Sequence, residues 1–130
     1  MRLLLDTHIL LWSLADPRRL PEPAKHAIEA GDNEVLFSAA SIWEVAIKSQ
    51  LLRVDFGVDA ATIISAARES RFSELAINAE HAAAVAALPT HHRDPFDRLL
   101  IAQALTEPAR LVTADKTLAA YSNDLVWLIA

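Results

Sequence analysis

Four acids far apart in the chain stand at comparable places. Asp6 follows three consecutive leucines, and Asp115 lies just beyond the apolar run "RLVTA". Glu44 and Asp97 fall in what read as the first turns of two helices, in "SIWEVAIK" and "DPFDRLLIAQAL". Carboxylates aimed into one low-dielectric cleft repel one another and resist ionisation. A hard divalent cation with oxygen ligands, Mg²⁺ or Mn²⁺, resolves that conflict. Zinc fits poorly, because the chain has no cysteine and no His-x-x-x-His pair on a helix. Carboxylate-held magnesium points to phosphate chemistry: such an ion lowers the pKa of a bound water and neutralises phosphoryl charge, and two ions clamp both attacking and leaving oxygens.

Each acid also has a plainer explanation. Asp94 reads as the N-cap of the helix that Pro95 opens, with Asp97 as a short capping-box partner. Ser41 and Glu44 form the S-x-x-E capping box outright, and acids in a first turn suit the helix dipole. The helical wheel then separates the two aspartates. Asp97 shares a face with Ile101 and Ala104, an inward face that a cap does not need. Asp94 is therefore assigned to the cap and Asp97 to metal. Glu44 is flanked in the same way by Ile47 and Leu51, and Lys48 at i+4 can pair with it.

Short apolar runs alternate with longer helical patterns to position these acids. Strands are expected at 2–6, 34–38, 73–78, 110–114 and 125–129. Helices are expected at 9–15, 21–31 (closed by Gly31), 41–52, 59–70, 79–88, 95–106 and 116–121. The alternation indicates α/β with a mostly parallel central sheet flanked by helices. Unbroken runs such as "LLL" and "VLF" fit strands covered on both faces. In such folds ligands sit outside the carboxyl ends of the strands, which is where the four acids would meet.

Composition narrows the setting. At 130 residues the chain suits a single domain over 1–130. The absence of cysteine fits a reducing compartment, so a cytoplasmic location is expected. Asp6 and His8 interrupt the N-terminal apolar stretch and argue against a signal peptide; no run approaches a membrane span. Two isolated glycines exclude a phosphate-binding loop. The net charge of −5 argues against a general nucleic-acid binder. With the four acids set aside as ligands, 13 acidic residues face 12 basic ones.

The set "LLLDTHILLW" (3–12), "SAASIWEVAIK" (38–48), "DPFDRLLIAQA" (94–104) and "LVTADKTL" (111–118) resembles the PIN-domain ribonucleases, and within them the VapC-type toxins of toxin–antitoxin pairs. The resemblance spans almost the whole chain in order and spacing. It implies a PIN-like three-layer sandwich in which Asp6, Glu44, Asp97 and Asp115 match the metal-binding acids. Thr113 matches the hydroxyl residue near the last acid, and Thr7 follows the first. The implied activity is Mg²⁺- or Mn²⁺-dependent endonucleolytic cleavage of RNA to 5′-phosphate and 3′-hydroxyl ends. The implied partners are a small VapB-like antitoxin and a second copy in a homodimer. Some relatives carry a further acid two residues after the last aspartate; Thr117 stands there, which leaves one or two ions open.

Other residues divide between roles. Arg98, Arg93 and Lys116 are candidates for the substrate's phosphate backbone, with salt bridges and surface charge as the alternatives. Ser38 reads as a cap first and a support for the metal ligands second. His91 and His92 read as loop residues, His8 as helix packing, and Trp12, Trp43 and Trp127 as core or interface rather than base-stacking groups. A non-catalytic binding module on the same fold is the alternative function. A receiver domain is disfavoured because Thr7 and His8, not an acid pair, follow Asp6, and a haloacid-dehalogenase-type phosphatase would want an acid in place of His8.

Overall fold

In a computed structural model that describes residues 1–51, 59–89 and 93–129, five strands form one sheet. They are β1 (Arg2–Leu5), β2 (Glu34–Ser38), β3 (Ser73–Leu75), β4 (Arg110–Thr113) and β5 (Val126–Leu128), in the order β3-β2-β1-β4-β5. Every pairing is parallel: Leu3 lies opposite Val35, Leu5 opposite Phe37 and Leu4 opposite Leu111. Parallel neighbours require crossovers. These are supplied by α1 (Thr7–Ala15), α2 (Glu22–Glu29), α3 (Ala39–Gln50), α4 (Ala60–Glu69), α5 (Ala79–Ala84) and α6 (Pro95–Thr106).

The central strand explains the layering. Side chains alternate faces along a strand, and Leu3, Leu4 and Leu5 are all fully buried, so both faces of β1 are covered. Leu3 and Leu5 join Ile9, Leu10, Phe37, Val45 and Ile63 in one core. Leu4 joins Leu36, Leu100, Ile101, Leu111 and Leu118 in the other. α3 contributes to both, Val45 to the first and Ala40 to the second. The expected three-layer sandwich is thus present, with a sheet that is wholly parallel among the described residues.

Several boundaries move. α1 begins at Thr7, because Asp6 caps it by accepting from the Ile9 amide. α3 begins at Ala39, with Ser38 as its N-cap, so the Ser41–Glu44 capping box does not form and Glu44 lies in the second turn. α2 ends at Glu29 with Ala30 as its C-cap, ahead of Gly31. The stretch expected as one helix over 79–88 is α5 followed by a 3₁₀ turn at Val85–Ala87, and Lys116–Ala120 is also 3₁₀. Gly57, His91 and His92 lie outside the described residues.

Candidate metal centre

β1 and β4 are neighbours, so their carboxyl ends deliver Asp6 and Thr113 side by side. The Asp6 amide donates to Val112 O at 3.0 Å, which continues the ladder past the strand end. Asp6 Oδ1 accepts from the Ile9 amide at 2.9 Å, and Oδ2 accepts from the Thr113 hydroxyl. That same hydroxyl oxygen accepts from the Asp115 amide at 3.0 Å. One buried threonine thus holds the first acid by its side chain and the last by its backbone. Asp115 itself is exposed. Its Oδ1 accepts from both the amide and the hydroxyl of Thr117, at 2.9 and 2.8 Å. The threonine that replaces a further acid therefore steadies the acid before it.

Glu44 is buried on α3, packed against the start of α1. Thr7 Oγ1 lies 2.7 Å from Glu44 Oε1 and 3.0 Å from Ser41 Oγ. With one proton to give, Thr7 donates to the carboxylate and accepts from Ser41. Lys48 Nζ reaches Glu44 Oε2 at 2.8 Å, the i+4 pair the spacing allows. The expected wall of Ile47 and Leu51 is only partly there. Ile47 is half-buried, but Leu51 is 64% exposed; what buries Glu44 is α1. Ser41, read from sequence as a cap, belongs to this cluster. The signal for it was the second serine three residues before, which takes the capping role.

Asp97 is the third residue of α6. Asp94 caps the helix as expected, accepting from the amides of Phe96 at 2.8 Å and Asp97 at 3.2 Å, with Pro95 at the first position. The Asp97 carboxyl is half-buried, and its pKa is pushed up to about 7 from 3.8. Burial is the largest cause, followed by the negative charges of Asp94, Asp6, Asp115 and Glu44. Asp97 feels all three of the other acids, so four positions distant in sequence converge at this edge. Burial also raises the Asp6 pKa, against the opposing pull of its hydrogen bonds to Thr113 and Ile9 and the charge of His8.

No three acid or histidine side chains among the described residues are gathered into a cage around a single point. Asp6, Glu44 and Asp115 are each tied by local side-chain partners, and Asp97 stands within reach of the charge of all three. The donor set nonetheless fits a hard divalent cation: it is all oxygen, it is partly desolvated, and the charges of the other three acids help to raise the Asp97 pKa.

The other candidates are placed as follows. Ser38 is fully buried, and its hydroxyl donates to Gln103 Oε1 and accepts from the Ala40 amide, so it secures the start of α3. Arg98 donates to the carbonyls of Val85 at 3.1 Å and Pro89 at 3.2 Å, a clamp on the chain that precedes α6. Arg93 and Lys116 are exposed, each a few residues from an acid. His8 is exposed one residue beyond Thr7, with its ring edge-on to Trp12.

The sequence profile of the PIN domain family matches residues 3–123. The chain belongs to the PIN-domain family. It is 33% identical over 121 residues to Ribonuclease VapC22 of Mycobacterium tuberculosis (strain ATCC 25618 / H37Rv), covering 92% of each protein. The fold of this PIN domain is similar to a chain in the crystal structure of VapBC2 from Rickettsia felis bound to a DNA fragment from their promoter. That match has a TM-score of 0.72 and 19% identity and covers 98% of both chains. It is also similar to a domain of a functionally unknown protein from Methanocaldococcus jannaschii DSM 2661, with a TM-score of 0.58 and 12% identity over 99% of this chain and 91% of that one. The likeness drawn from the four motifs is borne out, to the family and to its VapC-type members. No helix among the described residues is long and apolar enough to cross a membrane.

Proposed function

We propose that this PIN-domain chain is a divalent-metal-dependent endoribonuclease, the toxin of a toxin–antitoxin pair, which cleaves RNA to 5′-phosphate and 3′-hydroxyl ends. The observation that carries the reading is the Asp97 carboxyl, held near neutrality by burial and by three acids from other parts of the chain. The 33% identity to a protein named a ribonuclease supplies the substrate class.

In this reading Asp6, Glu44, Asp97 and Asp115 hold Mg²⁺ or Mn²⁺. When bound, the cation supplies activation of water and neutralisation of charge on the phosphoryl oxygens. The chain's own residues set the geometry. Thr113 fixes the Asp6 carboxylate and the Asp115 backbone together. Thr7 and Lys48 hold the two oxygens of Glu44. The helix dipole of α6 favours the charged form of Asp97 once the neighbouring charge is neutralised. Arg93 and Lys116, exposed beside the acids, meet the phosphate backbone, while Arg98 positions the approach to α6. A small antitoxin would act by covering this edge, and a second copy of the chain completes a homodimer in the cytoplasm.

The test uses purified, antitoxin-free protein and a panel of structured and single-stranded RNAs. Cleavage should require Mg²⁺ or Mn²⁺ and leave ends that a 5′-phosphate-dependent exonuclease degrades. Undiminished cleavage in excess EDTA overturns the mechanism. The alternative, a non-catalytic PIN-fold module acting through a protein partner, draws on the lack of a ready three-acid cage among the described residues. It predicts no heat of Mn²⁺ binding in a calorimetric titration.

A further inference from the structure

The three tryptophans sit in different surroundings. The Arg19 guanidinium lies 4.8 Å from the centre of the half-buried Trp12 ring, and Arg110 lies 5.6 Å from that of Trp127. Both are satisfied parts of the fold, with a cation over the face of an aromatic ring. Trp43 is 55% exposed, and no guanidinium covers it among the described residues. Its ring meets Phe96 edge to face, at 5.1 Å and 71°.

The placement of this pair matters more than its exposure. Trp43 precedes Glu44 and Phe96 precedes Asp97. Successive helix residues point about 100° apart, so each ring stands on the shoulder of an acid, and the two rings touch across the gap between α3 and α6. The contact fixes the indole beside the acid edge while leaving more than half of its surface open. A nucleic-acid strand with a phosphate at the acids must carry its next bases past these shoulders. Aromatic side chains bind bases by stacking, whatever the base, because every base has a π-face.

We propose that Trp43, braced by Phe96, is the platform on which a base flanking the scissile phosphate stacks. This rests on the ribonuclease reading and deepens it: the substrate is single-stranded at that nucleotide, since a paired base would first have to give up its stack and its pairing to reach the ring. The outward positions that follow on α3, Ala46 and Gln50, are exposed. A second copy of the chain or a protein partner is therefore the competing occupant of the same face.

The experiment compares wild type, Trp43→Ala and Trp43→Phe on single-stranded, mixed-sequence oligoribonucleotides in Mn²⁺, with an abasic residue walked through the positions flanking the cut. Trp43→Ala should raise KM about ten-fold, within the range that one lost base stack accounts for, with kcat little changed. Trp43→Phe should recover most of the loss. One abasic position should impair wild type as much as Trp43→Ala does and should cost that variant nothing more. An unchanged KM in Trp43→Ala overturns the platform while leaving the ribonuclease reading intact. So does a change in molar mass by light scattering with unchanged kinetics, which would make the ring an interface between copies. If wild type cleaves no RNA, the functional reading falls and the platform falls with it.

Discussion

Among the described residues, two clusters of buried polar groups are built on opposite principles. In one, Ser38, Gln103 and His81 are fully buried. Ser38 donates to Gln103 Oε1, and Gln103 Nε2 donates to Ala76 O at 3.3 Å. His81 Nδ1 accepts from the Asn78 amide at 3.1 Å while Nε2 lies 2.6 Å from Glu107 Oε2. Since Nδ1 accepts, Nε2 carries the proton that Glu107 receives. Arg2 then meets Glu107 at 3.6 Å. Donors face acceptors throughout. In the other cluster Asp6 and Glu44 are nearly as buried, but Asp97 feels the negative charge of all three other acids, while hydroxyls steady Asp6 and Asp115 and Thr7 and Lys48 hold Glu44. The first cluster is complete as it stands. The second retains the repulsion that raises the Asp97 pKa, even with Lys48 paired to Glu44. Local conflict of this kind marks a functional site in a sequence that is otherwise consistent with its fold.

Removing one acid should therefore break the comparison most sharply. Asp97→Asn keeps the shape and takes away one of the mutually repelling charges. RNA cleavage should fall by about 10³-fold, on the scale that losing one preorganised electrostatic group costs. The metal-free protein should at the same time melt higher than wild type at pH 8, because a like charge has left a partly desolvated site. A variant that loses both activity and stability would mean that Asp97 belongs with the satisfied groups instead.

The same cut in the complete cluster should do the reverse. Gln103→Leu strands the Ser38 hydroxyl and the Ala76 carbonyl without their partner, and a buried polar group left unsatisfied costs about 1–3 kcal/mol. Urea denaturation should show that loss with the slope unchanged, while the kinetics of the folded enzyme stay within about two-fold of wild type. A fall in cleavage larger than the fall in folded fraction would join the two clusters into one unit.

How far each cluster was legible follows from the same contrast. The acids were visible because an aspartate behind three leucines, or on the Ile101 face of a helix, violates the pattern around it. The strand order could be expected only as a mostly parallel sheet, since period and run length say nothing of neighbours. Ser41 was misassigned because two serines three residues apart offer the same cap, and only packing against Thr7 decides that Ser38 takes it and Ser41 does not. Gln103 and His81 gave no signal at all. A glutamine within "LLIAQAL" and a histidine within "AEHAAA" break no pattern, and the side-chain partners that join them to the cluster lie 22 or more residues away. Thr117 looked like a missing ligand and proves to be the group that fixes Asp115.

The smallest effect sharpens the contrast through pH. The Asp97 carboxyl titrates near 7 in the folded protein against 3.8 in an unperturbed chain. Between those values the folded state binds a proton that the unfolded state has released. Stability must then fall as pH rises from about 4 to about 7 and level off above, since the slope follows the difference in bound protons. Asp6 is pushed in the same direction and adds the same sign. The melting temperature in EDTA should therefore drop between pH 5 and pH 8, and the drop should be shallower in Asp97→Asn. Adding Mn²⁺ should reverse the trend. Protons and cation compete for the same oxygens, so the stabilisation from metal grows as the carboxyls ionise. Parallel curves for wild type and variant in EDTA would show that the repulsion at this edge is already compensated within the chain, as it is around Gln103.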